Sequence, residues 1–142
     1  MFFGEYKHSL DAKGRLILPA KFRDRLERGA YVTKVVDGCL AIWTEEEFAV
    51  RMEQMLEKAR RGEAERNVMR AWAAGAAELT PDKQGRIALP AALREFAALD
   101  DDVMVIGAIN HVELWNLARW QSVETAGSEG LSSGEGLADM GF

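Results

Sequence analysis

The side chains best suited to chemistry sit in two short, nearly identical segments. Asp11-Ala12-Lys13-Gly14-Arg15-Leu16-Ile17-Leu18-Pro19-Ala20 returns as Asp82-Lys83-Gln84-Gly85-Arg86-Ile87-Ala88-Leu89-Pro90-Ala91, 71 positions later. In each, an aspartate and an arginine flank a tight turn that ends in glycine. Asp accepts local backbone N–H groups, and Gly reaches φ > 0 without steric cost. An arginine opening the outgoing strand can aim a planar guanidinium at a phosphate or a guanine edge, and Lys13 suits a looser phosphate contact. Residues 1–29 carry seven basic and four acidic side chains, and Lys83, Arg86 and Arg94 outweigh Asp82 in the second segment. Two readings stand open from these residues alone. The Asp and Arg of each turn pair with one another as a structural ion pair, or the arginines face a nucleic acid while the aspartates hold them in position.

Other chemistry has little support. His8 and His111 lie far apart without metal-ligand spacing, and the single Cys39 excludes an intramolecular disulfide or a multi-cysteine metal site. Cys39 reads as a buried small hydrophobe in an apolar strand, and Glu45-Glu46-Glu47 as a helix start rather than an acid/base pair. Trp43, Trp72, Trp115 and Trp120 read as core or subunit-contact residues. No glycine-rich phosphate loop is present. The expectation is a protein that is no enzyme, with no cofactor and no metal.

The elements that must position the two turns repeat as well. Trp43 matches Trp115 and Phe48 matches Trp120 at an offset of 72, so the whole unit is duplicated. In the first copy, His8-Ser9-Leu10 leads into the turn and Arg15–Leu18 leads out, which predicts a hairpin. Pro19 and Pro90 pre-set φ for the helices that follow, with Phe22 and Leu26 on one face of the first, and Gly29 as its stop. Tyr31-Val32 with Val35-Val36, Cys39–Trp43, Val103–Ile106 and Val112–Trp115 read as further strands. Thr44 followed by three glutamates predicts a capped helix with Phe48, Met52, Met55, Leu56 and Ala59 along one stripe. Gly62 punctuates it, a second helix through Val68, Met69 and Trp72 follows, and Asn116 caps a helix containing Leu117 and Trp120.

The 142 residues suit one domain or two halves sharing a core, and 48% apolar content is enough to build one. No apolar stretch is long enough for a membrane-spanning helix, and the opening residues lack a secretory pattern, so a soluble cytoplasmic chain is expected. The net charge of −5 is concentrated in residues 121–142, which hold five glycines, four serines, four acidic residues and no basic one. That segment reads as largely disordered, and residues 1–120 are close to neutral. The expected organisation is 1–61 first half, 62–80 connecting helix, 81–123 second half and 124–142 acidic tail.

Met1-Phe2-Phe3-Gly4-Glu5-Tyr6-Lys7-His8-Ser9-Leu10 leading into the first turn, then the second turn, Gly107 and Trp115, resemble the MraZ family of bacterial transcriptional regulators over roughly residues 1–123. The resemblance implies an α+β fold of AbrB/SpoVT type, in which two tandem swapped-hairpin halves form a small β-barrel with flanking helices. It implies double-stranded DNA as partner, bound at direct repeats upstream of the division and cell-wall gene cluster. It also implies a ring-like, octamer-like homo-oligomer associated with the nucleoid. Carried over by position, the DNA-contacting set is Asp11, Lys13 and Arg15, then Asp82, Lys83 and Arg86. Gln84 replaces the lysine of the first turn, so the second loop is expected to contribute less phosphate attraction unless adjacent Lys83 compensates. An antitoxin-like protein-interaction module, using the acidic tail, is the alternative.

Overall fold

Leu16 and Ile87, one from each copy of the repeated segment, lie directly opposite one another at the centre of the molecule, with at most 1% of either exposed. They belong to strands β2 (Arg15–Ile17) and β6 (Arg86–Ala88), which pair with each other as a separate two-stranded antiparallel ribbon. The other strands are β1 (Phe2–Ser9), β3 (Ala30–Lys34), β4 (Leu40–Thr44), β5 (Ala77–Leu79), β7 (Asp102–Ile109) and β8 (Val112–Asn116). They form one antiparallel sheet in the order β1-β7-β8-β4-β3-β5. This is the architecture of the computed structural model, which describes residues 1–142.

The strand order is a palindrome of the duplication. β1 of the first repeat pairs with β7 of the second, and β5 of the second pairs with β3 of the first. β4 and β8, equivalent strands, meet in the middle. Each repeat therefore gives its leading strand to the other repeat's half of the sheet. The hairpin expected within each copy is reduced to its turn and, in the first copy, a single bridge between Leu10 and Leu16. The outgoing strands pair across the repeats because that register sets Leu16 and Ile87 together over the core. Nor do the pairings close into a barrel: β1 and β5 end the sheet on opposite sides, and the ribbon stays separate.

One cluster of 19 buried residues drawn from both repeats makes the core, including Phe2, Leu18, Phe22, Leu26, Val32, Ile42, Leu89, Leu93, Val105 and Leu114. Phe2 and Tyr6 both meet Phe22 edge to face, fixing helix α1 (Ala20–Leu26) under β1. Pro19 and Pro90 stand at the N-cap of α1 and of α4 (Ala91–Phe96), in extended backbone rather than in the first helical turn. Helix α2 (Glu45–Ala59) begins as expected, with the Thr44 hydroxyl accepting from Glu47 N at 3.3 Å. Its stripe is buried at Ala59, whereas Leu56 is exposed.

Three further expectations change. Val35-Val36 is a turn, not a strand: Gly38 N donates to Val35 O, and Val36 stands wholly in solvent. The connecting helix α3 (Glu63–Gly75) ends early and hands over to β5, because the edge of β3 offers Ala77–Leu79 a ladder. The acidic segment is not disordered. Asn116 Oδ1 accepts from Arg119 N, and from that cap α5 runs to Ser132 (Leu117–Ser132), followed by α6 (Glu135–Asp139). Only two glycines interrupt α5, at about 1 kcal/mol each, and Trp115 and Trp120 anchor its first turn. No helix is long and apolar enough to cross a membrane.

Candidate nucleic-acid interface

Both turns are built by their aspartates. Asp11 Oδ1 accepts from the backbone N–H of Lys13 and of Arg15, each at 2.9 Å, and Oδ2 accepts from Arg15 Nε at 2.7 Å. Asp82 repeats the pattern with Gln84, Arg86 and Arg86 Nε at the same three distances. Backbone bonds close each loop, Asp11 N to Arg15 O and Asp82 N to Arg86 O. The donated backbone N–H of the following arginine, more than any other contact, holds both carboxyls below the usual aspartate range. The turns are thus charged and rigid at neutral pH.

The ion pairs are present, and they do not use up the arginines. Each arginine spends only Nε on its aspartate, leaving the terminal nitrogens without a bond inside the chain. In the ribbon, Arg15 opposes Ala88 and Arg86 opposes Ile17. Side chains alternate along a strand, so with Leu16 and Ile87 inward all four of these residues share the outward face. Arg15 and Arg86 are then diagonal neighbours on that face, with Cα atoms roughly 7–8 Å apart. About 30% and 26% of their side-chain surface is exposed, enough to meet an external ligand while their stems stay fixed.

Each turn is completed by the other repeat. Leu89 N donates to Gly14 O at 3.0 Å, and Leu18 N to Gly85 O at 2.9 Å. Arg94 crosses over Gly14, where a Cβ would come within 2.7 Å of its guanidinium carbon, and Arg23 crosses Gly85 within 2.6 Å. Both glycines also have positive φ, 74° and 77°. Arg23 Nε is tied to Leu18 O and Arg94 Nε to Leu89 O, again leaving terminal nitrogens free. These two arginines are the part of the site that sequence reasoning did not place. Their recurrence at the offset of 71 was visible, but only the fold shows each lying against the opposite loop.

The lysines sit differently. Lys13 and Lys83 are exposed on the two loops with no salt-bridge partner. Lys7, also in the basic first segment, is drawn away toward Asp102 at 3.6 Å on the sheet edge. Arg25 lies over the Phe2 ring. His8 is held below its ordinary value, first by burial and then by the charge of Arg23, which favours its neutral form. The outward ribbon face and its two loops therefore gather Arg15, Arg86, Arg23, Arg94, Lys13 and Lys83 around two already paired carboxylates. A fixed, cationic surface with unspent planar donors is chemically suited to a polyanion with hydrogen-bonding edges. Elsewhere, Cys39 is fully buried and its thiol is pushed up to about 12, which leaves it unreactive. All four indoles donate within the chain, to Thr33, Lys34 O, Glu113 and Glu5, as structural tryptophans do.

Comparison with known proteins agrees with the duplication. The family model described as "MraZ protein, putative antitoxin-like" matches twice, over residues 1–71 and 72–135, and so reaches twelve residues beyond the expected end of the resemblance. "Transcriptional regulator MraZ" of Lachnoclostridium phytofermentans is 45% identical over 122 residues, 86% of each chain. The protein of the same name from Kocuria rhizophila is 46% identical over 85% of each chain. That of Pediococcus pentosaceus is 39% identical over the full length of both. With two tandem family matches over nearly its whole length and relatives of this similarity, the chain belongs to the MraZ family.

Proposed function

We propose that this protein is a sequence-specific DNA-binding transcriptional regulator that reads direct repeats upstream of the division and cell-wall gene cluster. The observation that carries the reading is the pair of arginines on one ribbon face, each braced by an aspartate through Nε and free at its terminal nitrogens. Arg15 and Arg86 serve as base readers, Asp11 and Asp82 as their braces, and Lys13 and Lys83 as phosphate contacts. Arg23 and Arg94, lying against the loops, join the phosphate contacts. The naming of the relatives as transcriptional regulators supports the same class of function.

The exchange of leading strands between repeats supports a single-chain version of the AbrB/SpoVT swapped hairpin, with residues 1–61 as the first half and a second half that takes in β5 ahead of 81–123, so that only α3 connects them. One ribbon spans few base pairs, so a single protomer binds weakly. A ring-like homo-oligomer, octamer-like in size and working at the nucleoid, places several ribbons on regularly spaced repeats and converts weak contacts into avid binding.

The test is a gel-shift titration with DNA from upstream of the protein's own gene, at several salt concentrations, against a scrambled-repeat control. Arg15→Ala and Arg86→Ala are each expected to cost about 1–3 kcal/mol per engaged protomer on repeat DNA. Unchanged binding in both variants at matched salt removes the ribbon face as the reader.

A further inference from the structure

Beneath the sheet half formed by β3 and β4, helices α2 and α3 enclose an open groove of about 490 Å³. Met52, Met55, Val68, Met69 and Trp72 give it an apolar floor, and Lys34, Arg51 and Lys58 outnumber Glu65 along it. Arg51 lies over Trp43 at 5.0 Å, and its Nε is buried with no acceptor, a donor left unsatisfied by the chain's own groups. The second repeat shows the inverse. α5, the counterpart of α2, has no equivalent of α3 beside it; its first turns rest on β7 and β8, with Arg119 reaching Gly38 O and Phe96 O and Trp120 reaching Glu5, and its far end packs on α6. The two helices press together where Gly136 meets Gly130, too closely for a Cβ. Leu131, Leu137 and Met140 are left exposed beside Glu129, Glu135 and Asp139, with no basic residue among them.

We propose that the α2–α3 groove receives the C-terminal helices α5 and α6 of a second copy of this chain. The two surfaces are complementary in both respects: apolar anchors meet an apolar floor, and the acidic residues meet the charges of Lys34, Arg51 and Lys58. The groove is rooted on β3 and β4 and the tail on β7 and β8, opposite halves of the sheet, so the contact runs from one copy to the next. Unlike surfaces that meet in this way form a head-to-tail interface, and such an interface builds a ring where its rotation closes. The inference deepens the oligomeric part of the reading above and names the segments that make the joint.

Two full-length variants, Gln54→Cys on the groove rim and Ser133→Cys between α5 and α6, are co-expressed and treated with a bis-maleimide. Buried Cys39 stays silent. The expected product is a covalent heterodimer linked through the two introduced thiols, its yield falling at least fivefold when the Ser133→Cys chain also carries Leu137→Glu. No heterodimer, or a yield indifferent to Leu137→Glu, overturns the proposal. Gel shifts on the same samples keep the two readings apart. Repeat-DNA binding without linkage removes only this contact, and linkage without repeat-DNA binding removes only the DNA reading.

Discussion

The hydrogen-bond lengths that build the two turns agree to within a tenth of an ångström, and the repeats diverge outside them. Asp11 and Asp82 make the same three bonds, Gly14 and Gly85 share a positive φ, and Arg94 and Arg23 cross the opposite loop in the same way. Past the paired tryptophans Trp43 and Trp115 the likeness ends: the first repeat continues into the α2–α3 hairpin, the second into α5 and a short α6. The repeats are held alike where each completes the other, because a change in one loop disturbs the opposite helix as well. Where a repeat faces only solvent or another molecule, that constraint is absent and the structures differ.

The largest way to break the comparison is at the shared centre. Leu16→Ala and Ile87→Ala should each cost about 2–5 kcal/mol in urea denaturation, by nearly equal amounts, because each removes one side of the same contact. Clearly unequal losses would show that the ribbon is not symmetrically packed. Next, Gly85→Ala and Gly14→Ala place a Cβ at positive φ and against Arg23 or Arg94, for an expected loss of about 1–2 kcal/mol by the same measurement. If the loops are interchangeable the two losses match.

A smaller test sharpens one of the two differences between the loops, Lys13 against Gln84; the other is Ala12 against Lys83. Lys13→Ala should reduce the slope of log affinity against log salt by about one unit, and Gln84→Lys should steepen it by a similar amount. No change in either slope would place both positions off the DNA. The smallest effect is in acid. Because the folded chain holds Asp11 and Asp82 below the ordinary value of 3.8, their contribution to stability is complete above that value and is lost as pH falls through the lowered one. The urea midpoint of Asp82→Asn should therefore lie below the parent's by a constant margin at neutral pH, narrowing below about pH 4. A margin unchanged down to pH 2 would remove the carboxylate's charge from the account.

What the chain disclosed in advance follows from how local each cause is. The Asp–Gly turns, the Thr44 and Asn116 caps and the buried pair Phe22 and Leu26 depend on neighbours within a few residues, and all were legible. The partner of each strand was not. A hairpin is the cheapest local reading of Leu10 and Leu16 on either side of a turn, but burying Leu16 against Ile87 requires pairing across 71 positions. The basic residues near the first turn were counted as one patch, whereas the fold sends Lys7 to Asp102 and brings in Arg94 from the other repeat. The acidic segment was read from its Gly and Ser content, and a capped, tryptophan-anchored first turn propagated helix through it nonetheless.

One polypeptide carrying both loops is free to make them unlike, a liberty denied to a reader assembled from two identical chains. Lysine at one tip and glutamine at the other give the ribbon a front and a back. Under the proposed function, a reader with that polarity would sit on a duplex facing one way, which suits a series of sites all written in the same direction rather than a mirror-image pair.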